Sequence, residues 1–132
     1  MSEITTTEAI VSQYNASEKI FEGLIREVRE LSKKKPDATM SASKVKLINR
    51  VLSDLSEFLK TEPEGKYLDL LDEDALPQMS DGVLVMVQFE AALLAFYRRY
   101  HRRYSGSLYW VTNELVAKFD AEDEDEDSDN YK

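Results

Sequence analysis

Apolar side chains near the start of the chain recur at alternating spacings of four and three residues. This spacing follows one face of an α-helix, because such a helix completes a turn in about 3.6 residues. It predicts a first helix that begins at one of the threonines at 5–7, any of which can cap it, and runs to about Ser32. Pro36 then stops the helix. The apolar face consists of Ile10, Tyr14, Ser17, Phe21, Leu24, Val28 and Leu31.

Three later segments also follow helical spacing, and none shows the alternation typical of a β-strand. They predict an all-α fold, an antiparallel helical bundle of four longer helices and one short helix. The third helix is the most apolar and is expected at the centre. The predicted elements after the first are a helix from about Ser41 to Leu59, a short helical turn at 66–71, a helix at 82–104 and a helix at 108–119.

Acidic residues are concentrated at the C-terminal end of the chain. Eight carboxylates lie in the ten positions from Asp120 to Asp129, so residues 120–132 carry −7 of the net charge of −9. Too few apolar side chains remain there to offset the entropy of ordering, which predicts a disordered acidic tail. The length of 132 residues suits one domain. The predicted organisation is a single helical domain at 1–119 and a tail at 120–132.

A cationic segment precedes the tail. Residues 97–104 read Tyr-Arg-Arg-Tyr-His-Arg-Arg-Tyr. Such a run can bind nucleic acid, because arginines neutralise phosphates while aromatic rings stack on bases. On a helix of about 100° per residue, however, the tyrosines fall on the apolar side and the arginines on the other, so we expect buried rings and solvated cations. The candidate binding residues are Arg98, Arg99, His101, Arg102 and Arg103.

One carboxylate falls on the apolar side of the third predicted helix. Glu90 lies at about 340° on the helical wheel, and an ionised carboxylate buried there needs a partner. We interpret it as a buried polar residue paired with a neighbouring helix, with a general acid or base as the alternative. His101 lies roughly 16 Å further along the helix axis and cannot form a dyad with it. The candidate partners are Ser17, Arg26, Asn49 and Arg50.

Motifs of established chemistry are missing from the sequence. There is no cysteine, no glycine-rich phosphate loop and no zinc-ligand spacing, so we expect no catalytic residue, no cofactor and no metal. The N-terminal residues lack the features of a secretory signal, and no apolar run of about 18 residues is free of charge. These features predict a cytoplasmic protein that does not contact a membrane.

Opposite charge in two nearby segments is typical of a chain that binds a macromolecular partner. The leading hypothesis is a non-enzymatic helical adaptor or regulatory protein that binds another protein, with the acidic tail contacting a basic surface. The alternative is a nucleic-acid-associated protein that uses the basic face at 98–103, with the tail as competitor. Small side chains at Ala91, Ala92 and Ala95 would allow close approach of another helix, within the chain or in a homodimer.

Overall fold

The structure, a computed structural model, describes residues 4–130, with side chains through Glu124. The fold is mostly helical, at 69%, with a small two-stranded sheet. The elements in the described range are α1 (Glu8–Lys34), α2 (Ala42–Leu59), a 3-10 helix (Pro63–Tyr67), α3 (Met79–Tyr100), β1 (His101–Tyr104), β2 (Ser107–Trp110) and α4 (Asn113–Asn130).

The helix-rich fold predicted from the apolar spacing is confirmed, but the all-α prediction is wrong because a β-hairpin follows α3. β1 and β2 pair antiparallel immediately after that helix. The predicted third helix therefore ends at Tyr100 rather than at residue 104. The predicted final helix begins at Asn113 rather than at residue 108.

A two-residue turn explains why the helix gives way to strands. Ser105 and Gly106 both have positive φ, at 51° and 90°, as the type I′ turn of a tight hairpin requires. Gly106 adopts this conformation without the steric cost that a Cβ would bring. Aromatic residues on both sides of the turn add a preference for extended, paired strands.

Residues Gln13–Phe96 form one compact unit, and three aromatic rings from three helices meet in its core. Tyr14 of α1 stacks on Phe96 of α3 at 5.5 Å, and Phe58 of α2 meets these two rings edge-on at 6.4 and 5.3 Å. Each such ring pair contributes about 0.5–1.5 kcal/mol beyond the burial of its area. These contacts join α1, α2 and α3 within the unit.

The buried face of α3 differs from the predicted one. The helix is apolar on most sides, so the sequence offers no sharp contrast between an inner and an outer face. Phe89 and Phe96 are fully buried, whereas Leu94, which was expected inside, is 48% exposed. The inner face is thus turned by roughly 70° toward the phenylalanines. Its buried residues in this unit are Met79, Gly82, Met86, Phe89, Ala92, Leu93 and Phe96.

Side-chain hydrogen bonds hold the connection between α2 and α3. The buried amide of Asn49 donates to the carbonyl of Leu71 and accepts from its N–H, each at 2.8 Å. The Asp72 carboxylate then accepts hydrogen bonds from the N–H groups of Ala75 and Asp74. These two bonds lower the pKa of the Asp72 carboxyl group, because they favour its ionised form.

The short helical turn begins earlier than predicted. It is the 3-10 helix Pro63–Tyr67 rather than a turn at 66–71, since proline is favoured in the first turn of a helix. Gly65 lies against the end of α2, where an added Cβ would come within 2.6 Å of the Leu59 carbonyl oxygen. A side chain at this position would force the backbone apart.

The last helix extends into the acidic segment, for which composition predicts a disordered tail. The backbone of α4 continues through Asn130, and the side chains at 120–124 are exposed. Each residue added to an existing helix gains a backbone hydrogen bond without a new nucleation cost, although five of the eight acidic residues at 120–129 are aspartates, which have a poor helix propensity. The last two residues of the predicted tail, Tyr131 and Lys132, lie outside the described residues.

Among the described residues, α3 alone has the length and composition of a helix that can cross a membrane. From the sequence, no such segment is predicted. Core helices of soluble proteins share this property. Of its most apolar stretch, 39% is buried inside the protein.

We expect replacement of Asn49 by alanine to lower the free energy of unfolding by about 2–4 kcal/mol, because it leaves the Leu71 N–H and carbonyl without partners. Urea unfolding followed by circular dichroism measures the loss. Arg50→Ala, at the exposed neighbouring position on α2, should change stability by about 0.5 kcal/mol or less. Equal losses for the two variants would contradict the role given to the Asn49 amide.

Candidate functional site

The cationic segment of the sequence lies in a second compact unit, formed from the two ends of the chain. In the hairpin of this unit, His101 is paired with Trp110, and Arg103 is paired with Leu108. Because side chains alternate between the two faces of a strand, these four residues lie on one face of the hairpin. The hairpin therefore places His101 and Arg103 on one face and Arg102 on the other, an arrangement that a continuous helix would not give.

Three aromatic rings cluster on this face. Tyr97, in the last turn of α3, stacks on His101 with centroids 4.7 Å apart and the planes inclined by 13°. Trp110 meets Tyr97 edge-on at 5.5 Å and His101 at 5.3 Å. The Tyr97 side is open to solvent at 39% exposure. The rings stabilise one another, and Tyr97 still presents aromatic surface to water.

The opposite face of the hairpin packs on α4. The ring of Tyr104 lies 5.4 Å from that of Phe119, and the ring of Tyr109 lies 5.8 Å from it. Tyr100, at the end of α3, is buried at 8% exposure. Two of the three tyrosines that were expected inside, Tyr100 and Tyr104, therefore do make internal contacts, whereas Tyr97 reaches the surface.

Two of the candidate arginines are engaged within the unit. The Arg99 guanidinium lies over the ring of Tyr100, 6.0 Å from its centroid. Arg102 donates to the backbone carbonyl of Ile4 at 2.7 Å. Both side chains are half-buried, and the Arg102 hydrogen bond joins β1 to the N-terminal segment of the same unit. They are therefore not simply cations displayed to solvent.

The other two arginines face water. Arg98, in the last turn of α3, and Arg103, on β1, are both exposed. Arg103 makes a long hydrogen bond to the carbonyl of Gly106 at 3.4 Å, which keeps its guanidinium near the hairpin turn. Of the five candidate binding residues, the hairpin face brings His101 and Arg103 together and turns Arg102 to the other side.

The N-terminal segment fixes the base of the hairpin. The Thr6 N–H donates to the carbonyl of Val111 at 3.2 Å, and the Asn113 N–H donates to the carbonyl of Thr6 at 2.9 Å. The Glu114 carboxylate accepts from the backbone N–H of Glu8 at 3.2 Å, where negative charge suits the N-terminus of α1. Backbone pairing thus joins the segment before α1 to the segment between β2 and α4.

We define the aromatic–arginine surface as Tyr97, His101, Arg103, Leu108 and Trp110. Leu108 is 62% exposed beside Arg103, its pairing partner across the strands. The surface thus combines an exposed aliphatic side chain, a guanidinium and the edge of an aromatic cluster. Such a mixture suits the recognition of an apolar group flanked by an anion.

Glu90 belongs to the other unit, where it pairs with Arg29 of α1. The guanidinium donates to both carboxylate oxygens, at 2.8 and 3.1 Å, and these hydrogen bonds raise the pKa of Arg29. The carboxylate is 46% exposed rather than buried. Its partner lies on a neighbouring helix but is none of the four predicted candidates. A bidentate ion pair favours a structural role over proton transfer.

The sequence contained one signal for the hairpin that the helical interpretation missed. Ser105 and Gly106 stand between aromatic segments, and a serine–glycine pair in that position is typical of a tight turn. Reading it so would have placed Leu108 and Trp110 beside the cationic residues. Arg29 had no comparable signal, since 61 residues separate it from Glu90.

In the described part of the chain, no group of three or more histidine, aspartate or glutamate side chains is arranged to hold a metal ion. No family model matches the chain, and no curated protein or solved structure matches it.

We expect Gly106→Ala to destabilise the protein by about 1 kcal/mol, because alanine resists the positive φ at this position. Ser105→Asn is the matched change, since asparagine tolerates the left-handed conformation. It should leave the midpoint of thermal unfolding unchanged or raise it. Scanning calorimetry of both variants measures the difference, and a loss on Ser105→Asn as large as that on Gly106→Ala would contradict the turn assignment.

Breaking the Arg29–Glu90 ion pair should cost about 1 kcal/mol or less, because both side chains are nearly half exposed and water screens their interaction. Urea unfolding of Arg29→Ala, Glu90→Gln and the double variant forms a cycle that measures the pairwise free energy. A coupling free energy above about 3 kcal/mol is typical of buried pairs and would contradict the assignment of Arg29 and Glu90 as a partly solvated pair.

Proposed function

We propose that this protein is a non-enzymatic adaptor or regulatory protein that binds another protein through its aromatic–arginine surface. The observation that supports it is the cluster of Tyr97, His101 and Trp110 beside exposed Leu108 and Arg103. Tyrosine, tryptophan and arginine are enriched among the residues that dominate binding energies at protein interfaces. An exposed leucine next to them supplies an apolar contact that gains free energy when it leaves water.

The chemistry of the surface indicates a partner with an apolar side chain flanked by a carboxylate. The Arg103 guanidinium would form a charge-assisted pair with that carboxylate, while Leu108 and the exposed part of Tyr97 would cover the apolar group. The acidic residues from 120 onward would contact a basic surface of the partner and speed encounter at low salt. We place this activity in the cytoplasm.

The net charge of the unit supports a protein partner over a polyanion. Its residues, 1–12 and 97–132, include eleven acidic and six basic side chains, a net charge of −5. Nucleic-acid binding depends on neutralising phosphates with clustered cations, and three of the four arginines already have contacts within the unit. The acidic residues of α4 would oppose the approach of a polyanion.

A second candidate function is association with single-stranded nucleic acid. The observation that favours it is the parallel stack of Tyr97 on His101, because an exposed ring in such a stack can accept a base on its free side. Arg98 and Arg103 would then contact the phosphates, and the acidic segment would compete for the same cations.

The scaffold for either function is the unit formed by Gln13–Phe96. We infer that α1, α2 and α3 pack antiparallel, since short connections favour antiparallel neighbours. A homodimer through the small residues Ala91 and Ala95 of α3 is one further assembly that this scaffold would support, whereas Ala92 is buried in the core.

We expect Leu108→Asp to lower the amount of partner protein captured by the full chain at least about tenfold. Leu84→Asp is the matched control, because both leucines are 62% exposed and Leu84 lies in the other unit. Quantitative mass spectrometry of the captured proteins compares the two. Loss of the same proteins from the captures with both variants would contradict the binding role of the aromatic–arginine surface.

A nucleic-acid function predicts a different result. Single-stranded oligonucleotides would bind the protein with an affinity that falls steeply with salt, and Arg98→Glu/Arg103→Glu would flatten that dependence. Under the protein-binding proposal, the captured proteins persist after nuclease treatment, and these oligonucleotides bind no more tightly to the wild type than to the double variant.

A further inference from the structure

A groove of about 370 Å³ runs between α1 and α2 in the unit formed by Gln13–Phe96. The α1 positions that line it recur at spacings of three, one and three residues, which places them on one helix face. The lining residues are Gln13, Ala16, Ser17 and Ile20 from α1, and Val51, Asp54 and Glu57 from α2. The groove therefore lies between the facing sides of two neighbouring helices.

Two large apolar side chains are exposed to water, one that lines the groove and one that lies a turn beyond its lining residues. Ile20, on the α1 side, is 58% exposed. Leu47 lies one turn before Val51 on the same face of α2 and is 52% exposed. Covering both would remove apolar surface from water at about 25 cal/mol for each Å². Within the described part of the chain, no segment covers Ile20 or Leu47 enough to bury it.

Gly23 continues the α1 side of the groove by one further turn. A Cβ added to it would have no atom within 4 Å, so no neighbouring group in the described structure requires a glycine there. Glycine inside a helix nevertheless costs about 1 kcal/mol relative to alanine. With Ala16 seven residues earlier, it leaves room for another helix at the usual interaxial distance of about 8–10 Å.

The charged side chains that line the groove are both carboxylates. Asp54 and Glu57 are exposed on the α2 side. In a symmetric dimer the same patch would face itself, which would bring these carboxylates together without a lining cation. A helix that carries lysine or arginine on its flank would be complementary instead.

We propose that this groove docks a basic amphipathic α-helix from another protein. Its small and aliphatic residues would lie against Ile20 and Leu47, and its basic residues would pair with Asp54 and Glu57. The mode is that of an amphipathic helix laid into an apolar groove. This inference concerns the unit without the hairpin, so it stands or falls independently of the aromatic–arginine surface.

Two synthetic helical peptides of about 18 residues, or about 27 Å, provide the test. They share one stripe of alanine and leucine and differ only in their flanking residues, which are lysine in one and glutamate in the other. Fluorescence anisotropy with the full chain should show at least about tenfold tighter binding of the lysine-flanked peptide. Asp54→Lys/Glu57→Lys should reverse this preference.

Ile20→Ser should weaken the lysine-flanked peptide at least about tenfold, whereas Leu84→Ser, on the exposed side of α3, should leave its affinity unchanged. Circular dichroism confirms that each variant remains helical. Equal affinity for the two peptides, no binding of either, or no effect of Ile20→Ser would overturn the proposal. Sedimentation that shows a dimer dispersed by Ile20→Ser would assign the groove to a second copy of the chain and overturn it as well.

Discussion

The positive φ angles at Ser105 and Gly106 are the constraint on which the arrangement of the cationic segment depends. They return the chain on itself in two residues and set the register of the hairpin. The returning strand then closes against the end of α3, where the Val111 N–H donates to the Tyr100 carbonyl at 2.7 Å. The next residue, Thr112, accepts the Leu115 N–H at 3.0 Å and so caps α4. One tight turn thus determines the starts of two further elements.

The hairpin also changes the meaning of the cationic run. In a helix, four arginines would share one stripe and act as a single patch of charge. Strand geometry instead sends Arg102 to one face and Arg103 to the other, while Arg99 stays over a ring at the end of α3. The number of arginines in a short segment therefore overstates the charge available to a partner. What remains is a small mixed surface, whose specificity would come from shape and from its few polar contacts.

The sequence predicts the first two helices well, because their apolar spacing is regular and capping residues stand before each of them. Thr7 accepts the N–H of Ile10 and caps α1, and Ser41 does the same for α2 through the N–H of Lys44. Both caps had been predicted within a few residues. These features are local, and local patterns determine them.

The failures arose where the determining interactions are not local. α3 is apolar on nearly every side, so its inward direction depends on the size of the phenylalanines and on what α1 and α2 present to them. That direction in turn places Glu90 at the edge of the core, within reach of Arg29. The hairpin has a different cause. The helical projection treats residues 101–104 as part of α3, whereas α3 ends at Tyr100. An incorrect C-terminal boundary for α3 therefore assigns the side chains after Tyr100 to the wrong faces.

Trp110 is the only tryptophan in the chain, and its indole lies against the rings of Tyr97 and His101. The tryptophan emission of this protein, excited at wavelengths that tyrosine does not absorb, therefore originates from one location, the same patch through which we propose that the protein binds a partner. An indole is sensitive to the polarity around it and to neighbouring groups that quench its excited state. The native chain consequently carries its own optical reporter for occupancy of that patch, with no attached dye.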